Sequence, residues 1–108
     1  MAPKKGLSFI YVLINAVNVN TVKKMNVTYT QHALTRMAER GINKAEVEAT
    51  LAAPVNTVPA HNGRVEFQGF IDRSGKKQFL RVLTEGDLVV LVITVMATSK
   101  FEKYGVKP

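Results

Sequence analysis

Two helical stretches followed by a strand-rich half predict an α+β domain, with two N-terminal helices packed on an antiparallel sheet. Three observations carry this expectation. Ala33, Leu34, Met37 and Ala38 recur at helical spacing, and Asn43 with Glu46 forms a capping pattern ahead of Val47 and Leu51. Residues 65–97 alternate or run apolar between clusters of turn-forming residues. A chain of 108 residues has room for one hydrophobic core, so a single domain is expected over residues 25–108, with residues 1–24 as an N-terminal extension.

Residues 7–19 are mostly apolar and follow Lys4 and Lys5. A membrane-spanning helix needs about twenty such residues, so this run is too short. It starts like a weak signal peptide, yet no small-x-small cleavage site closes it and Asn15, Asn18 and Asn20 dilute its end. The alternatives to an upstream extension are an extra strand, a helix covering the core, or a peripheral membrane anchor.

From residue 26 each element has its own local cause. Residues 27–30 suit a short strand or extended lead-in, and Thr28 or Thr30 can cap the helix that follows, whose left-handed stop is Gly41. The second helix starts at Asn43 and cannot continue through Pro54. Val65, Phe67, Gly69 and Ile71 alternate with Glu66, Gln68 and Phe70, and residues 72–75 supply the turn of a hairpin that returns over residues 78–84. Glu85, Gly86 and Asp87 form a second turn into residues 88–97, a run so apolar that it is expected to be central, with both faces covered. Helices on one sheet face would leave the other as a concave, partly polar surface able to hold a strand of RNA.

The formal charge is +7; Lys4, Lys5, Lys23 and Lys24 contribute +4 of it with no acid among them. This sign favours acidic partners such as nucleic acid. With no cysteine there is no disulfide, no thiolate metal site and no thiol nucleophile. No metal-ligand cluster, phosphate-cradling glycine loop or serine triad is apparent, so no metal or cofactor is expected.

His32, Arg36 and Arg40, four residues apart, share one ridge of the first helix. An imidazole beside fixed cations suits phosphate chemistry, against the plainer reading of a solvated face paired with Glu39 or Glu46. For Arg40, next to the helix C-terminus, the plainer reading is preferred. Arg81 is the single charge in an apolar stretch, and Thr94 interrupts the most apolar run. Thr98 and Ser99 lead a tail in which Lys100 and Lys103 could neutralise phosphates and Tyr104 could stack on a base or give up its proton, while Phe101 is expected to pack into the core. His61 sits in turn composition and is read as a loop residue without chemistry.

The block His32, Ala33, Arg36, Met37, Arg40, Gly41 and Ile42, the second helix ending before Pro54, the hairpin and residues 92–95 together resemble the bacterial and phage family DUF4258, a domain of unknown function. That family looks related to the barnase, EndoU, colicin and RelE group of small ribonucleases and toxins. The resemblance implies a RelE/barnase-like fold and metal-independent cleavage of RNA through its 2′-hydroxyl. His32 would be the acid or base and Arg36 the phosphate binder, with Arg81 and Tyr104 in the catalytic group and Arg40, Thr94, Lys100 and Lys103 contacting RNA. It also implies an acidic antitoxin or immunity protein as partner, in the cytoplasm or as a secreted toxin. The competing reading is a non-catalytic RNA-binding or protein-binding module of the same fold. An enzyme requires His32 and Arg36 to open onto one cleft with at least one of Arg81, Thr94, Lys103 and Tyr104.

Overall fold

The computed structural model describes the backbone of residues 8–16 and 19–108, and side chains from residue 26 onward. Along the chain run β1 (Ser8–Ala16), β2 (Val19–Tyr29), α1 (Gln31–Arg40), α2 (Lys44–Ala52), β3 (Asn56–Pro59), β4 (Val65–Arg73), β5 (Lys76–Glu85) and β6 (Val89–Thr98). Short 3₁₀ turns follow β3 at His61–Gly63 and β6 at Glu102–Tyr104. The strands form one sheet in the order β1-β2-β6-β5-β4-β3. Two helices packed on this sheet make the α+β fold. Every neighbouring pair is antiparallel except β2 and β6, which run parallel from Asn26 opposite Val89 to Tyr29 opposite Val92. The sheet is therefore mixed, since both helices and three strands intervene between β2 and β6 and give the chain length for a crossover. Of the N-terminal segment, residues 8–16 and 19–24 lie in β1 and β2, and β2 runs without a break past residue 25; residues 1–7 and 17–18 lie outside the described residues. The short edge strand β3 is an element the sequence pattern did not reveal.

Local chemistry starts and stops both helices as expected. Thr30 is the α1 cap: its Oγ1 accepts from the Ala33 N–H at 3.0 Å and donates to the Ile93 carbonyl at 2.8 Å, tying the helix to β6. Gly41 ends α1 at φ 65°, which lets the Ile42 N–H bond back to the Met37 carbonyl. In α2 the Asn43 side chain accepts from the Glu46 N–H while Glu46 accepts from the Asn43 N–H, a reciprocal capping box. Ser74 and Gly75, both at positive φ, make the tight turn that sets the β4–β5 register, with Gln68 opposite Arg81.

The two sheet faces have different covers. On one, Ala33 and Met37 of α1 and Val47 and Leu51 of α2 join Val27, Ile71, Leu80, Val82, Val90, Val92 and Val95 in the main core. Thr50 of α2 comes so close to Gly69 that an added Cβ would lie 3.1 Å from its methyl group, so glycine there lets α2 seat on β4. The opposite face is crossed by the C-terminal turn, so it is only partly an open polar surface. Phe79 is fully buried there, with ring centroids of Phe70 and Tyr104 at 5.4 and 5.1 Å, and Phe101 packs on Phe70 at 5.2 Å. β6 is central as expected, but full burial is confined to Val90, Val92 and Val95 on the helix side. Leu91, Ile93 and Met96 are half-buried, and Leu88 and Val89 at the strand's start are 62% and 55% exposed, because they lie before the part of β6 that the helices cover.

Candidate functional site

Alternation along β5 decides where Arg81 points. Leu80 and Val82 belong to the helix-side core, so Arg81 between them projects to the tail side. Its Nε and Nη2 donate to Oε2 and Oε1 of Glu66, each at 2.8 Å, a bidentate pair between adjacent strands. Nη1 donates to the Tyr104 hydroxyl at 3.2 Å, and the guanidinium carbon lies 4.9 Å from that ring's centroid. Gln68 Nε2 donates to Glu66 Oε2 at 2.6 Å, and Asn56 Nδ2 of β3 donates to Gln68 Oε1 at 3.2 Å. One polar chain thus runs from the sheet edge through Gln68, Glu66 and Arg81 to the C-terminal turn. The side chains of Arg81 and Glu66 are 26% and 12% exposed, so solvent still reaches the pair.

Burial pushes the Glu66 carboxyl up, but the hydrogen bonds from Arg81 and Gln68 and the Arg81 charge outweigh it and hold the group below its ordinary range. Arg81 moves the other way: its hydrogen bonds to Glu66 outweigh burial and keep it more firmly protonated. Tyr104 is positioned by the Phe79 contact and by Gly105 at φ 69°, which closes the terminal turn. Lys103 Nζ lies 5.3 Å from the Tyr104 ring centroid. Lys100 and Lys103 are exposed, while Thr94 is half-buried and shares the tail-side face because it pairs with Leu83.

The helical ridge lies elsewhere. His32, Arg36 and Arg40 are all exposed on α1, whose inner face is packed into the helix-side core. Arg36 Nη1 pairs with Glu39 at 3.4 Å, and Arg40 occupies the last turn, where a cation complements the helix end. The helices pack on the sheet face that carries Leu80 and Val82, whereas Arg81 meets Tyr104 on the other, so the structure does not bring His32 and Arg36 together with that pair. The strand period that buries Leu80 and Val82 under the helices sends Arg81 the other way. His61 lies exposed in its 3₁₀ turn.

Glu66 is the residue that sequence reasoning passed over. Its signal in the sequence is a carboxylate alternating with Val65 and Phe67, and the two-residue turn at Ser74 and Gly75 puts Arg81 opposite Gln68, diagonal to Glu66. A cleft of about 600 Å³ opens between α2 and β4, lined by Glu46, Ala49, Thr50, Phe70 and Asp72 among others. Its carboxylates are committed to structure: Glu46 accepts from Arg73 at 2.6 and 2.7 Å, and Asp72 accepts from Lys77 at 3.0 Å. Among the described residues no group of three metal-ligating side chains occurs, and no helix is long and apolar enough to cross a membrane.

The family model described as "Domain of unknown function (DUF4258)" matches residues 29–101, which takes in both helices, β3 to β6 and the first residues of the tail. No curated protein and no solved structure matches the chain.

Proposed function

We propose that this chain, which belongs to the DUF4258 family, is a metal-independent endoribonuclease whose chemistry lies on the tail side of the sheet. The observation that supports this is the Arg81 guanidinium held between a carboxylate and a phenol on a partly exposed face. A phosphodiester seated on Arg81 would have Glu66 on one side and Tyr104 on the other, which is what in-line displacement needs. Glu66 accepts the proton of the ribose 2′-hydroxyl as its oxygen attacks phosphorus. The bond to the 5′-oxygen breaks, and that oxygen takes a proton from the Tyr104 hydroxyl. The products are a 2′,3′-cyclic phosphate and a free 5′-hydroxyl. Arg81 stabilises the charge that builds on the non-bridging oxygens, and Lys100 and Lys103 hold flanking phosphates. The helices on the far side leave this arrangement to the sheet and tail, in keeping with the resemblance to the RelE and barnase group. His32, Arg36 and Arg40 stand outside the site. In a chain of net charge +7, they suit the acidic antitoxin or immunity protein that the resemblance implies.

A second reading is a non-catalytic RNA-binding module, in which the contacts of Arg81 to Glu66 and Tyr104 are structural and the exposed Lys100 and Lys103 would hold the phosphates. The test is incubation of labelled RNA with the protein in chelator and analysis of product ends. Fragments ending in 2′,3′-cyclic or 3′-phosphate are expected. Glu66→Gln, Arg81→Ala and Tyr104→Phe should each slow cleavage by about 10²- to 10⁴-fold, and His32→Ala should leave it within about twofold. Absence of such fragments from free RNA and from ribosome-bound message would leave the binding module as the reading.

A further inference from the structure

We infer that Glu66 occupies the Arg81 anion site in the resting protein, so that an RNA phosphodiester binds by displacing this carboxylate from the guanidinium. The inference rests on the tail side being an RNA site, and it concerns how that site is regulated.

A guanidinium presents two two-pronged edges to a carboxylate or phosphate, one made by Nε with an Nη and one by the two Nη groups. In this protein the first edge, Nε with Nη2, has both prongs taken by Glu66 oxygens at 2.8 Å. The remaining nitrogen, Nη1, is turned to Tyr104. A phosphodiester that seats two non-bridging oxygens on the Nε edge therefore competes with Glu66 for the same donors. The contest is open to solvent because the Arg81 side chain is 26% exposed. The displaced carboxylate has a second anchor in Gln68, whose Nε2 donates to Glu66 Oε2 at 2.6 Å and whose Oε1 accepts from Asn56. Leaving Arg81 thus need not mean leaving the site. Once a phosphate has taken the guanidinium, Glu66 loses the partner that suppresses its basicity, so the base becomes effective only when substrate is bound.

The rival account makes Glu66 an organiser that holds Arg81 ready for phosphate. The two differ in sign, because removing a competitor tightens anion binding and removing an organiser weakens it. The probe is a 2′-O-methyl oligoribonucleotide, which keeps the phosphodiesters but lacks the nucleophile, titrated at constant salt into the full chain and its variants. Glu66→Gln keeps the size and the contact to Gln68 but removes the charge, and it should bind about tenfold more tightly than the natural protein. Arg81→Ala should lose most of the affinity of both. Equal or weaker binding by Glu66→Gln overturns the inference. If Glu66→Gln does not fold by circular dichroism, Glu66→Asp decides in its place: it keeps the charge but shortens the reach, so it should bind about threefold more tightly, and equal or weaker binding overturns the inference. Tighter binding by the variant with no cleavage by the natural protein would uphold the latch and reject the ribonuclease. Cleavage with unchanged affinity would do the reverse.

Discussion

The two basic regions of this protein, the α1 ridge and the tail side of the sheet, carry similar residues in very different surroundings. Arg36 on the ridge is 47% exposed and meets Glu39 through a single contact at 3.4 Å on its own helix. Arg81 is 26% exposed and is fixed at three nitrogens by groups from β4 and from the C-terminal turn. The first pair is close in sequence and freely hydrated, so it contributes little to stability. The second joins residues 15 and 23 positions away, so its geometry exists only in the folded chain. The spacing that makes a conspicuous motif on a helix does not by itself build a site.

The sharpest way to break this comparison is to remove what the tail rests on. Phe79→Ala deletes a fully buried ring beneath Tyr104 and should cost about 3–5 kcal/mol, read by chemical denaturation. At temperatures where this variant remains folded, Tyr104 should lose its fixed position, and any RNA-directed activity should fall while the α1 ridge is untouched. A loss of stability below about 1 kcal/mol would mean that the tail side is not a packed region.

A smaller effect separates the regions by pH. Glu66 and Glu46 both have folded-state carboxyl groups held below their ordinary value of 4.5, Glu66 chiefly by Arg81 and Glu46 chiefly by Arg73, in each case against the opposing effect of burial. A depressed carboxyl favours the folded chain above its unfolded value, and that contribution disappears as pH falls through the folded value. Unfolding free energy should therefore fall between about pH 5 and pH 3, and Arg81→Ala should flatten part of that fall.

The smallest expected effect is on the ridge itself. His32→Ala and Arg36→Ala should each change stability by no more than about 0.5 kcal/mol, as measured by denaturant midpoint. If either reduced cleavage a hundredfold with the fold intact, the ridge would be the catalytic region and the tail side a structural one.

Residues close in sequence account for most of what could be read in advance. Thr30, Gly41, the Asn43 and Glu46 box and the Ser74 and Gly75 turn each act on backbone within a few positions, so α1, α2 and the β4–β5 hairpin follow from local hydrogen bonding and allowed φ values. The apolar run of β6 marked the central strand, because only a strand flanked on both edges and covered by helices buries Val90, Val92 and Val95 together. Apolar character alone could not show that Leu88 and Val89 lie beyond that cover. Nor could it show that β3 pairs along the sheet edge, or that β2 meets β6 in parallel, since these depend on where distant segments dock.

The candidate site divides in the same way. Sequence placed His32, Arg36 and Arg40 on one ridge because helical spacing is a property of the helix itself. It also singled out Arg81 as a lone charge and Tyr104 as a phenol in the tail. Only the tertiary structure decided that Arg81 and Tyr104 meet, that Glu66 joins them, and that His32 lies across the sheet. That decision rests on which sheet face the helices cover. Covering Leu80 and Val82 buries apolar surface, which drives the helices to that side, and the strand's twofold alternation then leaves Arg81 and Glu66 facing the tail.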